Sequence, residues 1–212
     1  MNLKNTILLL FAASISLILI AMMPSKGEQL NIGDSVPAAD LELENIDNNY
    51  YSLKKLAGEN GLLVIFSCNT CPFVVGNGSK SEGWQNRYPG ISELSNEQGV
   101  TFVLVNSNEA KRKHGDSIKD MKKQYEDQNY SGYYLLDQNS VVADAFGAQT
   151  TPHVYLFDKS LKLVYTGAID DNVNRRDEVE VHYLNNAINN MVKGDNIDPE
   201  TTRNIGCSIK RI

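Results

Sequence analysis

The sequence has few of the residues on which several protein classes depend. Of its 212 residues, only three are cysteines and three are histidines. Three cysteines are too few for a disulfide-stapled scaffold, and because the number is odd, at least one thiol has no intramolecular partner at any moment. A basic excess is also missing, since 20 basic and 26 acidic side chains give a net charge of −6. This balance excludes the positively charged surface that nucleic acid requires.

After residue 27 the sequence also lacks long apolar runs, internal repeats and low-complexity tracts. These absences exclude a multi-pass membrane protein and a collagen-like chain. The rest of the composition, 42% hydrophobic and 22% charged, is that of an ordinary globular protein rather than a disordered one. The length indicates one domain with additional segments.

The first 27 residues have the pattern of an export signal. Lys4 precedes 17 uncharged, mostly apolar residues, Ile7 to Met23, and Pro24 to Gly27 interrupt the run. A short basic start, an apolar middle and a breaker are typical of such signals. No A-x-A cleavage site follows, and a spanning helix needs about 20 apolar residues, so a signal peptide and an N-terminal membrane anchor both remain open. We expect residues 28–212 to be exported, in the periplasm or anchored facing the periplasm or exterior, where cysteine pairs persist as disulfides.

Alternating patterns in the remaining chain predict an α/β fold. Four apolar runs predict strands, namely 62–66, 101–105, 153–157 and 161–165, and a turn with an edge strand is predicted over 33–43. Helices are predicted over 84–98 (interrupted at Pro89-Gly90), 117–128, 141–146 and 177–193. Continuous apolar runs are typical of strands buried on both faces, so the pattern favours a sandwich with helices on both faces of one sheet. The tail from 195 to 212 is expected to wrap the surface.

Two cysteines in a C-x-x-C motif are the strongest chemical signal. Cys68 and Cys71 follow the strand at 62–66, and Pro72 suits the first turn of a helix. Cys71 would then lie at the helix N-terminus, where unpaired N–H groups and the helix dipole stabilise a thiolate. Cys68 is close enough for a disulfide, so one thiolate attacks and the other resolves. A structural disulfide and half of a metal site are the alternatives, but zinc sites need further closely spaced ligands.

A second signal is the Thr151-Pro152 pair at the start of a predicted strand. Proline is unusual there because it cannot donate to the sheet, and a cis peptide bond is expected. This bond would expose backbone groups beside the sulfurs for pairing with an extended substrate. His153 is either a packed strand residue or a neighbour of the sulfurs. In the second case Cys68, Cys71 and His153 form the ligand set of a copper-binding protein, because thiolates and imidazole suit that metal.

Taken together, these motifs resemble the thioredoxin fold, and the segment IGDSVPAADLELENIDNNYYSL (32–53) is similar to the start of the redoxins, the alkyl hydroperoxide reductase/thiol-specific antioxidant family. A peroxiredoxin-like branch shares CNxCPF at 68–73, the Thr151-Pro152 pair, IDDN at 169–172 and GCSIK at 206–210. The resemblance implies a thioredoxin-like three-layer sandwich, with a central mixed sheet, helices on both faces and an N-terminal redoxin extension.

The resemblance also implies roles for individual residues. Cys71 lies five residues after Phe66 and directly before Pro72, which matches the attacking cysteine of thioredoxins and peroxiredoxins. Cys68 or Cys207 would resolve the disulfide, although Cys207 could equally pair with a partner protein or be inert. Cys68 and Val64 stand where peroxiredoxins carry a threonine and a proline, which weighs against efficient peroxide reduction.

The function expected from the sequence is an exported thiol–disulfide oxidoreductase. Cys71 attacks, Cys68 resolves, and Thr151 and Pro152 position the substrate. Protein thiols or disulfides are the expected substrates, a redox partner restores the dithiol, and no cofactor is needed. The alternatives are a thiol peroxidase with Cys71 as the attacking cysteine, which would be an antioxidant enzyme, and a copper-binding chaperone of thioredoxin fold.

Overall fold

A mixed β-sheet organises the chain in the computed structural model, which describes residues 27–212. Seven of the strands form this sheet in the order β2-β1-β5-β4-β3-β7-β8. The strands are β1 (Glu42–Asn45), β2 (Tyr50–Ser52), β3 (Gly61–Ser67), β4 (Val100–Asn106), β5 (Tyr133–Leu136), β6 (Thr150–Thr151), β7 (His153–Asp158), β8 (Leu163–Gly167) and β9 (Cys207–Ser208). The remaining two, β6 and β9, pair with each other outside the main sheet.

Helices and apolar clusters cover both faces of the sheet. The helices are α1 (Leu53–Leu56), α2 (Pro72–Val75), α3 (Tyr88–Glu97), α4 (Ile118–Asp127), α5 (Val141–Phe146) and α6 (Tyr183–Lys193). Strand β3 runs through the middle, parallel to β4 and antiparallel to β7. Its side chains alternate between two cores, with Leu63 and Ile65 in one and Leu62 and Val64 in the other. This arrangement confirms the predicted three-layer, thioredoxin-like sandwich.

Several predicted boundaries are wrong, for local reasons. The helix predicted from residue 177 begins only at Tyr183, so the apolar residues before it lie in a turn and a loop. The helix predicted to break at Pro89-Gly90 is continuous there, because Pro89 lies in the first turn of α3, where its missing N–H costs nothing. The predicted edge strand starts only at Glu42 and lies between β2 and β5 rather than at the sheet edge.

Strand β5 was not predicted from the sequence, because its four residues, YYLL, carry no alternation that separates a strand from a loop.

The C-terminal tail, which was expected to wrap the surface, forms a strand instead. Strand β9 pairs antiparallel with β6, and Ile209 is buried against the second core.

The expected export segment falls on residues 1–27, nearly all of which lie outside the described residues. Within residues 27–212, every helix is too short or too polar to cross a bilayer. The choice between a signal peptide and an anchor therefore stays a prediction.

Candidate active site

The C-x-x-C motif occupies the turn between the central strand and a short helix. Cys68 directly follows β3, and Cys71 is the N-terminal capping residue of α2 with Pro72 in the first turn. The carbonyl of Cys71 accepts the backbone N–H groups of Val74 and Val75 at 2.8 and 2.9 Å. The expected position of Cys71 at a helix start is thereby confirmed. The motif follows the carboxyl end of the fully buried central strand. Both cysteines are therefore buried, with exposed fractions of 1% for Cys68 and 3% for Cys71.

Thr151, in strand β6, contacts the sulfurs of both cysteines although it lies 80 or more residues further along the chain. Its hydroxyl lies 3.2 Å from Cys68 Sγ, and its carbonyl oxygen lies 3.1 Å from Cys71 Sγ, to which the protonated thiol donates. The bond between Thr151 and Pro152 is cis, as predicted. The structure therefore brings together Cys68, Cys71, Thr151 and Pro152, which the sequence had placed in one site.

The two thiols of the motif have opposite acidities. The hydrogen bond from the Cys68 thiol, helped by Cys207 and the backbone of Phe73, lowers the pKa of Cys71 to about 5 in spite of burial. The same hydrogen bond, together with burial and the negative charge of Asp116, raises the pKa of Cys68 well above its ordinary value. At neutral pH Cys71 is thus a thiolate and Cys68 a thiol. A thiolate is the nucleophilic form of cysteine.

Cys207 reaches the same site from the C-terminal segment. It is the cross-strand partner of Thr151 in the β6–β9 pair, it packs against the apolar cluster that contains Cys71, and its side chain and backbone help to lower the pKa of Cys71. Burial, followed by the contact with Cys71, raises the pKa of Cys207 to about 11. The sequence left open whether this cysteine was inert, and the structure places it in the cluster that contains Cys71.

A buried aspartate, Asp116, was missed in the sequence analysis. Its carboxylate accepts the backbone N–H of Asn69 at 2.7 Å and the hydroxyl of Thr70 at 2.8 Å, the two residues between the cysteines. The side-chain amides of Asn106 and Asn108 complete its surroundings at 2.9 and 3.1 Å. The polar triplet Asn106 to Asn108, directly after the carboxyl end of β4, was the available signal, because that end lies beside the end of β3.

The structure places the His153 ring against Tyr155 and Thr166. Its ring nitrogens face Tyr155 Oη at 3.3 Å and the hydroxyl of Thr166 at 3.3 Å. Burial lowers its pKa to about 3, so the ring is neutral. Within residues 27–212 the structure holds no group of three or more histidine, cysteine or acidic side chains arranged for a metal ion. Tyr155 belongs to the second core, whereas Cys68 and Cys71 belong to the first, so these contacts do not support a copper set of Cys68, Cys71 and His153.

The IDDN segment contributes a structural ion pair rather than a ligand for the sulfurs. The buried carboxylate of Asp170 accepts the indole N–H of Trp84 at 2.6 Å and the Arg87 Nε–H at 3.1 Å. Arg87 also donates to the carbonyl of Asn172 at 2.8 Å. These contacts tie the loop after β8 to the segment after α2.

The chain was compared with protein-family models, with curated proteins and with solved structures. The Redoxin family model matches residues 31–187, whereas the sequence matches no curated protein. An uncharacterized conserved protein from Geobacillus kaustophilus is 31% identical, with a TM-score of 0.77 over 90% of this chain and 97% of that one. Two Mycobacterium tuberculosis proteins share the fold. A secreted disulfide oxidoreductase homologous to E. coli DsbE has 14% identity, a TM-score of 0.52, and coverage of 72% and 96%. Peroxidoxin BcpB has 12% identity, a TM-score of 0.52, and coverage of 78% and 96%.

Proposed function

The chain belongs to the redoxin family, and from this membership and the arrangement of its thiols we propose that it is a thiol–disulfide oxidoreductase that uses Cys71 and Cys68. The observation that carries the proposal is geometric: Cys71 caps the N-terminus of α2, and Thr151 contacts the sulfurs of both Cys68 and Cys71 at 3.2 and 3.1 Å. This arrangement separates the acidities of the two thiols. Cys71, at a helix start, has a pKa of about 5, and the pKa of Cys68 lies well above the ordinary value. One thiol is therefore ready to attack while the other keeps its proton.

The reaction then proceeds in two exchanges. The Cys71 thiolate attacks one sulfur of a substrate disulfide, so that a mixed disulfide forms and the other substrate sulfur leaves as a thiolate. Cys68 gives up its proton and attacks the Cys71 sulfur, which forms the Cys68–Cys71 disulfide and releases the second substrate thiol. The substrate disulfide gains two electrons and the protein loses two. Thr151 supports the second step, because its hydroxyl hydrogen-bonds Cys68 Sγ at 3.2 Å and lowers the pKa of that thiol. Its carbonyl accepts from Cys71 only while the Cys71 thiol is protonated. A redox partner must restore the dithiol.

A redox titration of the full-length protein tests this proposal. The protein is equilibrated in glutathione buffers, free thiols are alkylated and counted by mass, and Cys68→Ser, Cys71→Ser and Cys207→Ser run in parallel. We expect a reversible two-electron step that requires Cys71. Its midpoint should lie between about −270 and −120 mV, because the acidity of Cys71 is intermediate between those of weakly and strongly oxidising members of the fold. If Cys71 forms no disulfide at any ratio of reduced to oxidised glutathione, the proposal is wrong.

Peroxide reduction by Cys71 is the second candidate, and one contact favours it. Peroxiredoxins carry a threonine where this chain has Cys68, but Thr151 brings a hydroxyl to the same site, 3.2 Å from Cys68 Sγ. Stopped-flow mixing with hydrogen peroxide separates the two activities. A peroxidase forms sulfenic acid at Cys71 much faster than Cys71 exchanges with glutathione disulfide, whereas the exchange enzyme shows the opposite order.

The proposal includes export. The basic start and the 17-residue apolar run at the N-terminus support an exported enzyme with a signal peptide or an anchor. Cell fractionation, with N-terminal sequencing of the recovered protein, tests this point. Recovery of the intact chain from the cytoplasm would contradict it.

A further inference from the structure

The chain's own C-terminal strand covers the backbone edge beside the sulfurs. The residue before Pro152 was expected to offer its backbone to an extended substrate. Instead, β6 is already paired antiparallel with β9, so that Thr150 faces Ser208 and Thr151 faces Cys207. A polypeptide that paired with this edge by strand addition would need the same hydrogen bonds.

Contacts on both sides hold this strand in place. After it, Ile209 donates its backbone N–H to the carbonyl of Gln149 at 2.9 Å, and Arg211 pairs with Asp144 at 2.7 Å. Before it, the backbone N–H of Thr202 donates to the carbonyl of Thr166 at 3.1 Å. Ile209 is 5% exposed, so the segment also has an apolar anchor. It is an integral part of the fold, and a competing polypeptide has to displace it.

The strand also brings a thiol to the position that a substrate cysteine would occupy. Cys207 lies opposite Thr151, whose carbonyl lies 3.1 Å from Cys71 Sγ. Cys207 also packs against the apolar cluster that contains Cys71. Cys68 and Cys71 are buried, while Cys207 is half-buried. The tail therefore presents a backbone strand and a cysteine to the attacking sulfur, which are the two features of an extended disulfide substrate.

We propose that β9 is a built-in substrate strand, in which Cys207 forms a disulfide with Cys71 and the paired backbone limits external substrates to small disulfides that reach Cys71 without displacing the strand. This inference rests on the proposed function, because it assigns the substrate class and an internal partner to the same attacking thiolate.

The chemistry balances with a small disulfide as the oxidant. The Cys71 thiolate attacks one sulfur of the small disulfide, the S–S bond breaks, and one small thiolate leaves. Cys207 transfers its proton to that thiolate and attacks the Cys71 sulfur. The Cys71–Cys207 bond forms as the second small sulfur leaves as a thiolate, so one disulfide is reduced and two cysteines are oxidised. Attack by Cys68 on Cys71 then moves the disulfide to the Cys68–Cys71 pair and frees Cys207.

Disulfide mapping with one cysteine removed tests the internal partner. The full-length Cys68→Ser variant is treated with glutathione disulfide, quenched by alkylation, digested and analysed by mass spectrometry. We expect the Cys71–Cys207 disulfide as the main product, and the Cys68–Cys71 disulfide in the matched Cys207→Ser variant. If Cys68→Ser instead accumulates Cys71 bonded to glutathione, the built-in substrate is overturned while the proposed function stands. If Cys71 is not oxidised in either variant, the proposed function itself fails.

The glycine that directly precedes β9 provides a test of the substrate limit. A Cβ at Gly206 would lie 2.4 Å from the carbonyl oxygen of Thr151, so Gly206→Ala pushes the strand off the edge without removing a thiol. Gly90→Ala is the matched control, because a Cβ there meets nothing within 4 Å. The two substrates are glutathione disulfide and a short linear peptide whose single cysteine is bonded to glutathione.

The wild type and Gly90→Ala should react with glutathione disulfide faster than with the peptide. Gly206→Ala should raise the peptide rate about tenfold, the factor that corresponds to roughly 1.4 kcal/mol of lost strand pairing, and leave the small-disulfide rate within about twofold. The fluorescence of Trp84 verifies that each variant is folded. An unchanged peptide rate in folded Gly206→Ala, or a wild type that prefers the peptide, would overturn the substrate limit.

Discussion

The carboxylate of Asp116 accepts the backbone N–H of Asn69 at 2.7 Å, so a completely buried acid holds the loop between the two cysteines. Its second oxygen accepts the hydroxyl of Thr70 at 2.8 Å. Both residues of the loop are therefore fixed from one side by a single side chain. The separation of Cys68 and Cys71 depends on this loop, and the acidity of each thiol depends on their contact.

Replacing this acid should loosen the motif. Asp116→Asn keeps the shape but loses the charge that strengthens the hydrogen bonds from Asn69 and Thr70, and such bonds contribute about 1.5–3 kcal/mol each. We expect the reduced protein to lose about 2 kcal/mol or more of unfolding free energy in urea. The pKa of Cys68 should fall, because the charge of Asp116 raises it. Asp127→Asn, at an exposed carboxylate, is the control and should change stability by less than about 0.5 kcal/mol.

The acidity of Cys71 predicts a titration of the reduced protein in the acid range. The ultraviolet absorbance of a thiolate should appear as the pH rises through about 5, because the pKa of Cys71 is lowered to that value. Since the ordinary value is 9.0, ionisation of Cys71 stabilises the folded reduced protein above pH 9. This contribution is lost as the pH falls from 9 to about 5. Cys71→Ser should remove the absorbance step, and a step that persists in this variant would assign it to another cysteine.

The pair of Arg87 and Asp170 should be essential for stability. Both side chains are buried, at 7% and 2% exposure, and loss of one partner leaves the other charge uncompensated. Asp170→Asn is expected to cost about 3–5 kcal/mol, and the fluorescence of Trp84 should shift because its indole N–H loses a charged acceptor. Asp40→Asn breaks the exposed pair with Lys54 and serves as the control. Equal effects of the two substitutions on urea unfolding would refute this assignment.

The neutral His153 predicts a loss of stability in acid. Burial lowers the pKa of its ring to about 3 from the ordinary value of 6.5, so the unfolded chain binds a proton that the folded chain does not. The associated stability is present above pH 6.5 and is lost as the pH falls toward 3. His153→Gln should flatten this part of the stability curve by more than about 1 kcal/mol, whereas His114→Gln, at an exposed position, should leave it unchanged.

The sequence was sufficient for those parts of the fold and site that have local signals. The runs that became β3, β4 and β7 are continuous and apolar, and the proline after Cys71 marks a helix start. The sequence could not show that Asp116 reaches back to Asn69 or that β9 pairs with β6, because both contacts join segments far apart in the chain. The polar triplet at 106–108 indicates only that polar groups gather at that end of the sheet. The YYLL strand was missed for a related reason, since its pairing with β4 decides its conformation.

The site draws its groups from four distant points of the chain, at Cys68 and Cys71, at Asp116, at Thr151 and at Cys207. Before folding, Cys71 has none of these neighbours and keeps the ordinary pKa of 9.0, so near neutral pH it is almost entirely protonated and slow to react. Folding converts it to a thiolate and assembles its partners in the same event. A newly made chain is therefore protected from premature oxidation, and its chemical reactivity reports that the native state has been reached.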